Sequence, residues 1–172
     1  MKIRTALAAL VVAALAPAVA PAQPSPATVD TCFVPAEPCA GRIVAAIDGA
    51  RASIRVEAYG FTSRPIIAAL LRAKDRGVDV AVLLDRSNEH GRGSGLAAMQ
   101  RAGIPVWIDR VPGIAHVKAI VIDQRLVIGG SYNYTASAER RNVEDVTFTD
   151  SAQVAAEFVR NWQTRQQRAA TQ

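Results

Sequence analysis

"SIRVEAYGFTSRPIIAALLRAKDRGVDVAVLLD", Ser53 to Asp85, is a strand, a helix and a second strand in succession. In its first part Ile54, Val56 and Ala58 fall on one face, the period of a strand with a buried side. Pro65 suits the first turn of a helix, where its missing N–H breaks no intrahelical bond. Ile66, Ile67, Leu70 and Leu71 give that helix its apolar stripe, and Gly77 is its stop signal. Val78 to Asp85 is a near-continuous apolar run, as in a strand covered on both faces. The unit predicts an α/β fold: a mixed β-sheet flanked by helices on both faces.

Upstream, "RIVAAIDGARA" places Ile43, Val44 and Ile47 at helical spacing. Downstream, "RSNEHGRGSG" is a polar, Gly-rich loop. A helix from about Leu96 to Ala102 ends at Gly103. The strand "IPVWID", an apolar hairpin, the strand "VEDVTFT" and a terminal helix from about Ser151 to Gln166 follow. "QQRAATQ" reads as a frayed end. No internal repeat and no second domain are visible. The expected division is a signal peptide over residues 1–22, a lead-in with a cysteine pair over 23–40, and one catalytic domain over 41–167. Within the lead-in, "QPSPATVDT" (residues 23–31) is rich in Pro, Ser and Thr and reads as flexible.

The start of the 172-residue chain has the pattern of a secretory signal. Lys2 and Arg4 precede an uncharged Ala/Leu/Val run, and Ala20-Pro21-Ala22 supplies small residues for cleavage after Ala22. The run from Thr5 to Ala16 is too short to span a bilayer, which needs about 20 apolar residues. The expected product is a secreted or periplasmic protein without stable membrane insertion. Without Lys2 and Arg4 the chain keeps 18 basic and 15 acidic residues, a formal charge of +3, which suits a polyanionic partner. Cys32 and Cys39 bracket "FVPAEP"; in an oxidising compartment such a pair is expected to form a disulfide. Structural zinc usually takes four ligands, so two cysteines alone do not suggest a metal site.

The candidate chemistry lies in "HVKAIVIDQRLVIGGSYN", His116 to Asn133. On a strand, His116 and Lys118 share a face, with Ile120 and Ile122 running on into the core. Asp123-Gln124-Arg125 makes a turn, and the chain returns to Gly129-Gly130, where another backbone or a ligand can approach closely. Ser131 and Asn133 then share parity. The hairpin brings both ends together: a nucleophile or base, a fixed cation and two neutral hydrogen-bonding groups. A phosphodiester needs that set. Lys118 neutralises nonbridging oxygens, Ser131 and Asn133 add hydrogen bonds, and His116 attacks phosphorus. No carboxylate cluster for a divalent metal lies near these residues, and no cofactor is expected.

The spacing H-x-K-x4-D-x6-G-S-x-N, through His116, Lys118, Asp123, Gly130, Ser131 and Asn133, resembles the phospholipase D superfamily motif at every defined position. "AIDGARASIRVEAYGFTSRPIIAALLRAKDRGVDVAVLLDRS" and "RRNVEDVTFTD" extend the resemblance to the small, secreted, single-motif bacterial endonucleases of Nuc type, from about Cys32 to Trp162. The resemblance implies a metal-independent phosphodiesterase with His116 as nucleophile. It implies phosphate binding by Lys118 and Asn133 with Ser131 beside them, and a glutamate, Glu144, that orients the histidine. Asp123 belongs to the catalytic motif, where it reads as architectural, holding the hairpin turn.

One histidine leaves the departing alkoxide without an acid on the far side of phosphorus. A twofold homodimer would present His116 twice, as single-motif members of the family do. His90, in the Gly-rich loop, is the only other histidine and reads as a solvated loop residue; Arg86 and Arg92 beside it are candidates for a nucleic-acid groove. Three functions follow. The first is a non-specific endonuclease on DNA or RNA. The second is a phospholipase D on lipid head-group phosphodiesters, which should show an exposed apolar rim or an amphipathic surface helix. The third is a non-catalytic nucleic-acid-binding module.

Overall fold

A computed structural model describes residues 26–170; the predicted signal peptide, the start of the lead-in and the last two residues lie outside them. Seven strands form one mixed sheet: β1 (Thr28–Val34), β2 (Ser53–Ala58), β3 (Asp79–Asp85), β4 (Val106–Asp109), β5 (Lys118–Ile122), β6 (Leu126–Gly130) and β7 (Glu144–Asp150). Their order is β1-β7-β6-β5-β2-β3-β4. β2, β3 and β4 run parallel, and the other neighbours pair antiparallel. The helices are α1 (Cys39–Asp48), α2 (Arg64–Asp75), α3 (Leu96–Arg101), α4 (Ala136–Arg141) and α5 (Ala152–Ala170).

The strand–helix–strand unit explains the layers. Val80, Val82 and Leu84 of β3 join Ile54 and Val56 of β2 under Ile43, Ile47, Ile66 and Leu70 of α1 and α2. Ala81 and Leu83, of opposite parity, pack on Trp162 of α5. β3 is therefore buried on both faces, which is what its unbroken apolar run encodes. α5 also covers Val121 and Val127 of the hairpin through Ala155. The expected α/β architecture is what the structure shows.

Two stretches differ from the expectation. The supposedly flexible residues 28–31 belong to β1, which pairs with β7 from Thr28↔Asp150 to Val34↔Glu144. Cys32 and Val34 point into the core, and the Cys32–Cys39 disulfide fastens β1 to the start of α1. Strand alternation and a covalent tie outweigh the local Pro/Ser composition. The sheet thus begins upstream of the boundary drawn at residue 41. At the other end α5 continues to Ala170, so residues 166–170 are helical rather than frayed.

The hairpin turn has an unusual backbone. Asp123 and Gln124 both have positive φ, 51° and 53°, and Arg125 N–H closes the turn on the Ile122 carbonyl at 3.0 Å. Two positive φ values give the hand of turn that matches strand twist. The Asp123 carboxylate accepts from the N–H groups of Arg51 (3.0 Å), Ala52 (2.8 Å) and Ser53 (2.9 Å). Burial opposes its charge, but these three donors outweigh burial and hold its pKa below the usual carboxylate value.

Candidate active site

The carboxyl ends of β2 and β3, the start of β5, the end of β6 and the start of β7 meet at one end of the sheet. In α/β sheets this is where ligands bind, beyond the carboxyl ends of parallel strands. Asp85, buried at the end of β3, accepts from Ala115 N–H at 2.8 Å and Ser87 N–H at 2.9 Å. Tyr59 N–H donates to the Val117 carbonyl at 2.9 Å. The bonds to Ala115 N–H and to the Val117 carbonyl hold the segment carrying His116. Asn88 donates to the Tyr59 carbonyl at 2.7 Å and so ties in the short 3-10 turn Arg86–Glu89.

His116 precedes β5 and is exposed. The ring of Tyr59 meets its imidazole edge-on, with centroids 4.7 Å apart. Lys118, by contrast, is only 9% exposed. Its Nζ donates to the His116 carbonyl at 3.1 Å and lies 5.4 Å from the centre of the Tyr59 ring. Burial pushes the Lys118 ammonium below the usual lysine pKa, and the negative charge of Glu144 partly opposes that shift. Asn133 accepts at Oδ1 from Gly60 N–H at 3.3 Å, which leaves its amide N–H groups as donors. Gly130, with φ +131°, lies so close to the Asp145 carbonyl that a Cβ there would overlap it. The close approach is made by β7, not by a ligand.

His116, Lys118 and Asn133 thus come to one end of the sheet, as expected. Ser131 and Glu144 are there too, but in other pairings. Ser131 Oγ donates to Glu144 Oε2 at 2.5 Å. Glu144 Oε1 accepts from Asn142 at 2.7 Å, and among the described residues no hydrogen bond joins Glu144 to His116. Asp123 sits at the opposite end of β5, about 16 Å away along a five-residue strand. His90 ends the 3-10 turn and is exposed. No three or more His, Cys, Asp and Glu side chains converge as a metal cage would among the described residues.

Sequence reading missed Tyr59, Asp85 and Asn88, which position the histidine. The signal was available: Tyr59 directly follows β2 and Asp85 ends β3, the two parallel strands whose carboxyl ends face the site. It also missed Glu57, a buried carboxyl on the α5 side of β2. A cavity of about 380 Å³ is lined by Glu57, Asp109, Ile114, His116, Asn161 and Arg165. Arg165 grips Asp109 at 2.9 and 2.6 Å. Burial, then the charge of Asp109, raises the Glu57 pKa, with Arg165 acting the other way. Ile114 (55% exposed) lines the same cavity as His116, and Val143 (86% exposed) precedes Glu144 in the chain.

The family model described as "Cardiolipin synthase, PLD-like domain" matches residues 43–165, a span that holds all of these site residues. The chain belongs to the phospholipase D superfamily. It is 48% identical over 146 residues to a Phospholipase D of Rickettsia bellii, covering 85% of this chain and 73% of the relative. It is 33% identical over 131 residues to the human Mitochondrial cardiolipin hydrolase, covering 74% of this chain and about half of that protein, 52%. Among solved structures, the phospholipase D family member Nuc from Salmonella typhimurium superposes with a TM-score of 0.76 at 36% identity, covering 81% of this chain and 94% of Nuc. The fold and the enzyme class follow: a phosphodiesterase of the phospholipase D superfamily, Nuc-like in structure. No helix among the described residues is long and apolar enough to cross a membrane.

Proposed function

We propose that this phosphodiesterase is a metal-independent, non-specific endonuclease on DNA or RNA, secreted or periplasmic, that works through a phosphohistidine at His116. The observation that carries the chemistry is the contrast between two neighbours. An exposed imidazole is free to attack, while the ammonium beside it is buried and held at 3.1 Å on the same peptide segment. A cation in a partly dehydrated site stabilises developing negative charge more than one in water.

An imidazole nitrogen of His116 attacks phosphorus, and the bond to the leaving oxygen breaks as a proton from an acid reaches that oxygen. Water then attacks the phosphohistidine, gives a proton back to that acid, and the P–N bond breaks to restore His116. Lys118 and the Asn133 amide hold the nonbridging oxygens through both steps. The charge of Glu144 partly offsets the burial that disfavours the Lys118 ammonium. The Nuc-type resemblance and the basic balance of the chain support a nucleic-acid substrate.

A second reading is a phospholipid phosphodiester. The sequence suggests no apolar rim, yet Ile114 stands exposed beside His116 and Val143 beside Glu144 in the chain, and the names of the Rickettsia and human relatives denote lipid-directed enzymes. The test assays wild type and His116→Ala on plasmid DNA, RNA and phosphatidylcholine vesicles in EDTA. Nucleic-acid cleavage that survives EDTA and is lost in the variant is expected. Vesicle hydrolysis without nucleic-acid cleavage would transfer the function to lipid. Cleavage abolished by EDTA and restored by magnesium would remove the proposed mechanism.

A further inference from the structure

We infer that the Cys32–Cys39 disulfide is a redox latch on the catalytic end of the sheet: the oxidised chain is the competent phosphodiesterase, and the dithiol chain folds but turns over slowly. The latch acts on whichever phosphodiester the enzyme cuts; that it closes on export rests on the secreted or periplasmic reading. Its basis is the segment Ser131–Asn133, which has two supports. The first is β7. Ser131 Oγ donates to Glu144 Oε2 at 2.5 Å and accepts from Asp145 N–H at 3.1 Å, and Asp145 and Glu144 pair with Phe33 and Val34 of β1. The second is α1. The hydroxyl of Tyr132 donates to Glu139 Oε2 at 2.9 Å, and the same oxygen accepts from Ala40 N–H at 3.1 Å. α1 has no side-chain cap at Pro38, so Glu139 completes one of the N–H groups that the start of a helix leaves without an intrahelical partner.

The disulfide joins these two supports to each other. Cys32 lies beside Phe33 in β1, and Cys39 precedes Ala40 in α1. The rest of β1 is weakly held. It is an edge strand with β7 as its single neighbour in the sheet, and of its seven residues only Cys32 and Val34 are buried. Arg42 of α1 reaches the Thr31 carbonyl at 2.7 Å and the carboxylate of Asp30, but Asp30 is exposed to solvent, where an ion pair contributes little. Without the disulfide, β1 is free to shift relative to α1, and Glu144 and Glu139 no longer fix Ser131–Asn133 between them. A displacement of about 1 Å at a catalytic site costs up to about 100-fold in rate.

Opening the latch takes a dithiol reductant. Its thiolate attacks one cysteine sulfur, the S–S electron pair leaves with the other sulfur, and the second thiol of the reductant displaces the mixed disulfide. Two protonated cysteines and an oxidised reductant result. Closing is the reverse, with a disulfide oxidant taking up the two electrons and the two protons of the cysteine thiols. Both cysteines are 0% exposed, so a reductant meets the bond only when the β1 edge opens. A closed latch therefore stays closed, and a chain that folds under reducing conditions does not close it.

The test compares three preparations: wild type refolded with oxidised and reduced glutathione, wild type refolded with excess dithiothreitol, and Cys32→Ser/Cys39→Ser. Each is assayed on bis(p-nitrophenyl) phosphate, with circular dichroism to count folded molecules. Per folded molecule, kcat of the dithiol chain and of the serine variant should fall about tenfold or more. Reoxidation should restore the dithiol chain and leave the serine variant slow. Glu139→Ala, assayed in both redox states, gives a readout that lost stability alone does not move. It should lower kcat of the oxidised enzyme, and reduction should then cost less than it costs wild type, because both changes release the same segment. Glu139→Gln, which keeps an acceptor, should recover part of the rate. Equal kcat per folded molecule in the oxidised and dithiol forms overturns the latch and leaves the nuclease and export readings standing. Losses from reduction and from Glu139→Ala that simply multiply remove the coupling and overturn it as well. A dithiol chain that does not fold makes the bond a staple of the fold, which also overturns the latch.

Discussion

Ser131 and Glu144 share a hydrogen bond of 2.5 Å that ties the residue after β6 to the first residue of β7. The same hydroxyl accepts from Asp145 N–H at 3.1 Å, so Ser131 is saturated by β7. Glu144, fixed by Ser131 and Asn142, acts electrostatically on Lys118. That relationship places a carboxylate where its charge offsets part of the burial penalty on the Lys118 ammonium.

The pH profile checks this role. In the proposed mechanism Lys118 must be protonated to hold a phosphate. Burial lowers its pKa and Glu144 raises it again in part. Glu144→Gln removes the opposing influence, so the alkaline limb of kcat/KM should move to lower pH. Measured on bis(p-nitrophenyl) phosphate, an unmoved limb would assign that ionisation to another group.

Lys118 also sets a conflict between stability and activity. Its folded pKa lies below the unfolded value, so the folded state is penalised wherever the group is charged. That penalty is complete below the lowered pKa and fades as pH rises through the window up to 10.5, so the wild-type protein should gain stability across that window. Lys118→Met carries no such penalty. It should melt higher than wild type at neutral pH, lose the alkaline gain, and lose about 100-fold or more in kcat. Thermal melts at neutral and alkaline pH, with single-turnover rates, provide the check.

Asp123 offers the opposite case. Its net lowered pKa contributes stability that is present above the ordinary value near 3.8 and is lost as pH falls through the lowered one. Asp123→Ala removes the acceptor shared by the backbone N–H groups of residues 51–53, of which water can satisfy the exposed ones, and should destabilise the fold by about 1–2 kcal/mol. Activity per folded molecule should survive, because the turn lies at the far end of β5. Urea titration combined with active-site counting separates the two effects. A folded but inactive variant would return Asp123 to the catalytic set.

What was legible in the chain followed from periodicity and spacing. The α2 stripe, the doubly buried β3 and the hairpin all carry local signals, and the motif spacing identified His116, Lys118 and Asn133. β1 was not legible because its partner, β7, lies at the far end of the chain, and only Cys32 and Val34 point inward. α4 has six residues, too few to establish a helical period, although Thr135 caps it by accepting from Ala138 N–H at 3.1 Å. Tyr59, Asp85 and Asn88 escaped because their roles arise where strands distant in sequence end side by side. The Ser131–Glu144 pairing escaped because parity shows which residues share a face, not which acceptor takes a given hydroxyl proton.

The Cys32–Cys39 bond closes a loop with a sequence separation of only 7. The chain-entropy model gives about 2–3 kcal/mol for a loop of that length. Cys32→Ser/Cys39→Ser should lose up to that amount in chemical denaturation. Hydrogen exchange should rise first along β1 and its pairing with β7, while β2 and β3 stay protected. Two free thiols in protein isolated from an oxidising compartment would contradict the bond.

Three groups compete to be the second acid of the proposed reaction. Glu57 is a buried carboxyl with a raised pKa on the same cavity as His116. His90 ends the neighbouring 3-10 turn. A homodimer would supply the partner's His116 across a twofold axis, and the exposed apolar Ile114 and Val143 give such an interface something to bury. Glu57 lies beside the Asp109–Arg165 pair, and among the described residues no hydrogen bond or ion pair fixes the His90 side chain. The dimer is therefore the expected arrangement, with one composite site that needs both histidines. Sedimentation at assay concentration should show a dimer, and His90→Ala and Glu57→Gln should each keep most activity. Val143→Asp should weaken the dimer and reduce activity together while the fold survives. The deciding experiment unfolds and refolds wild type with His116→Ala in varied proportion. If every site needs two histidines, only wild-type pairs are active, and activity falls as the square of the wild-type fraction. A linear fall would mean that each chain works alone, and whichever of Glu57→Gln or His90→Ala is then inactive names the acid.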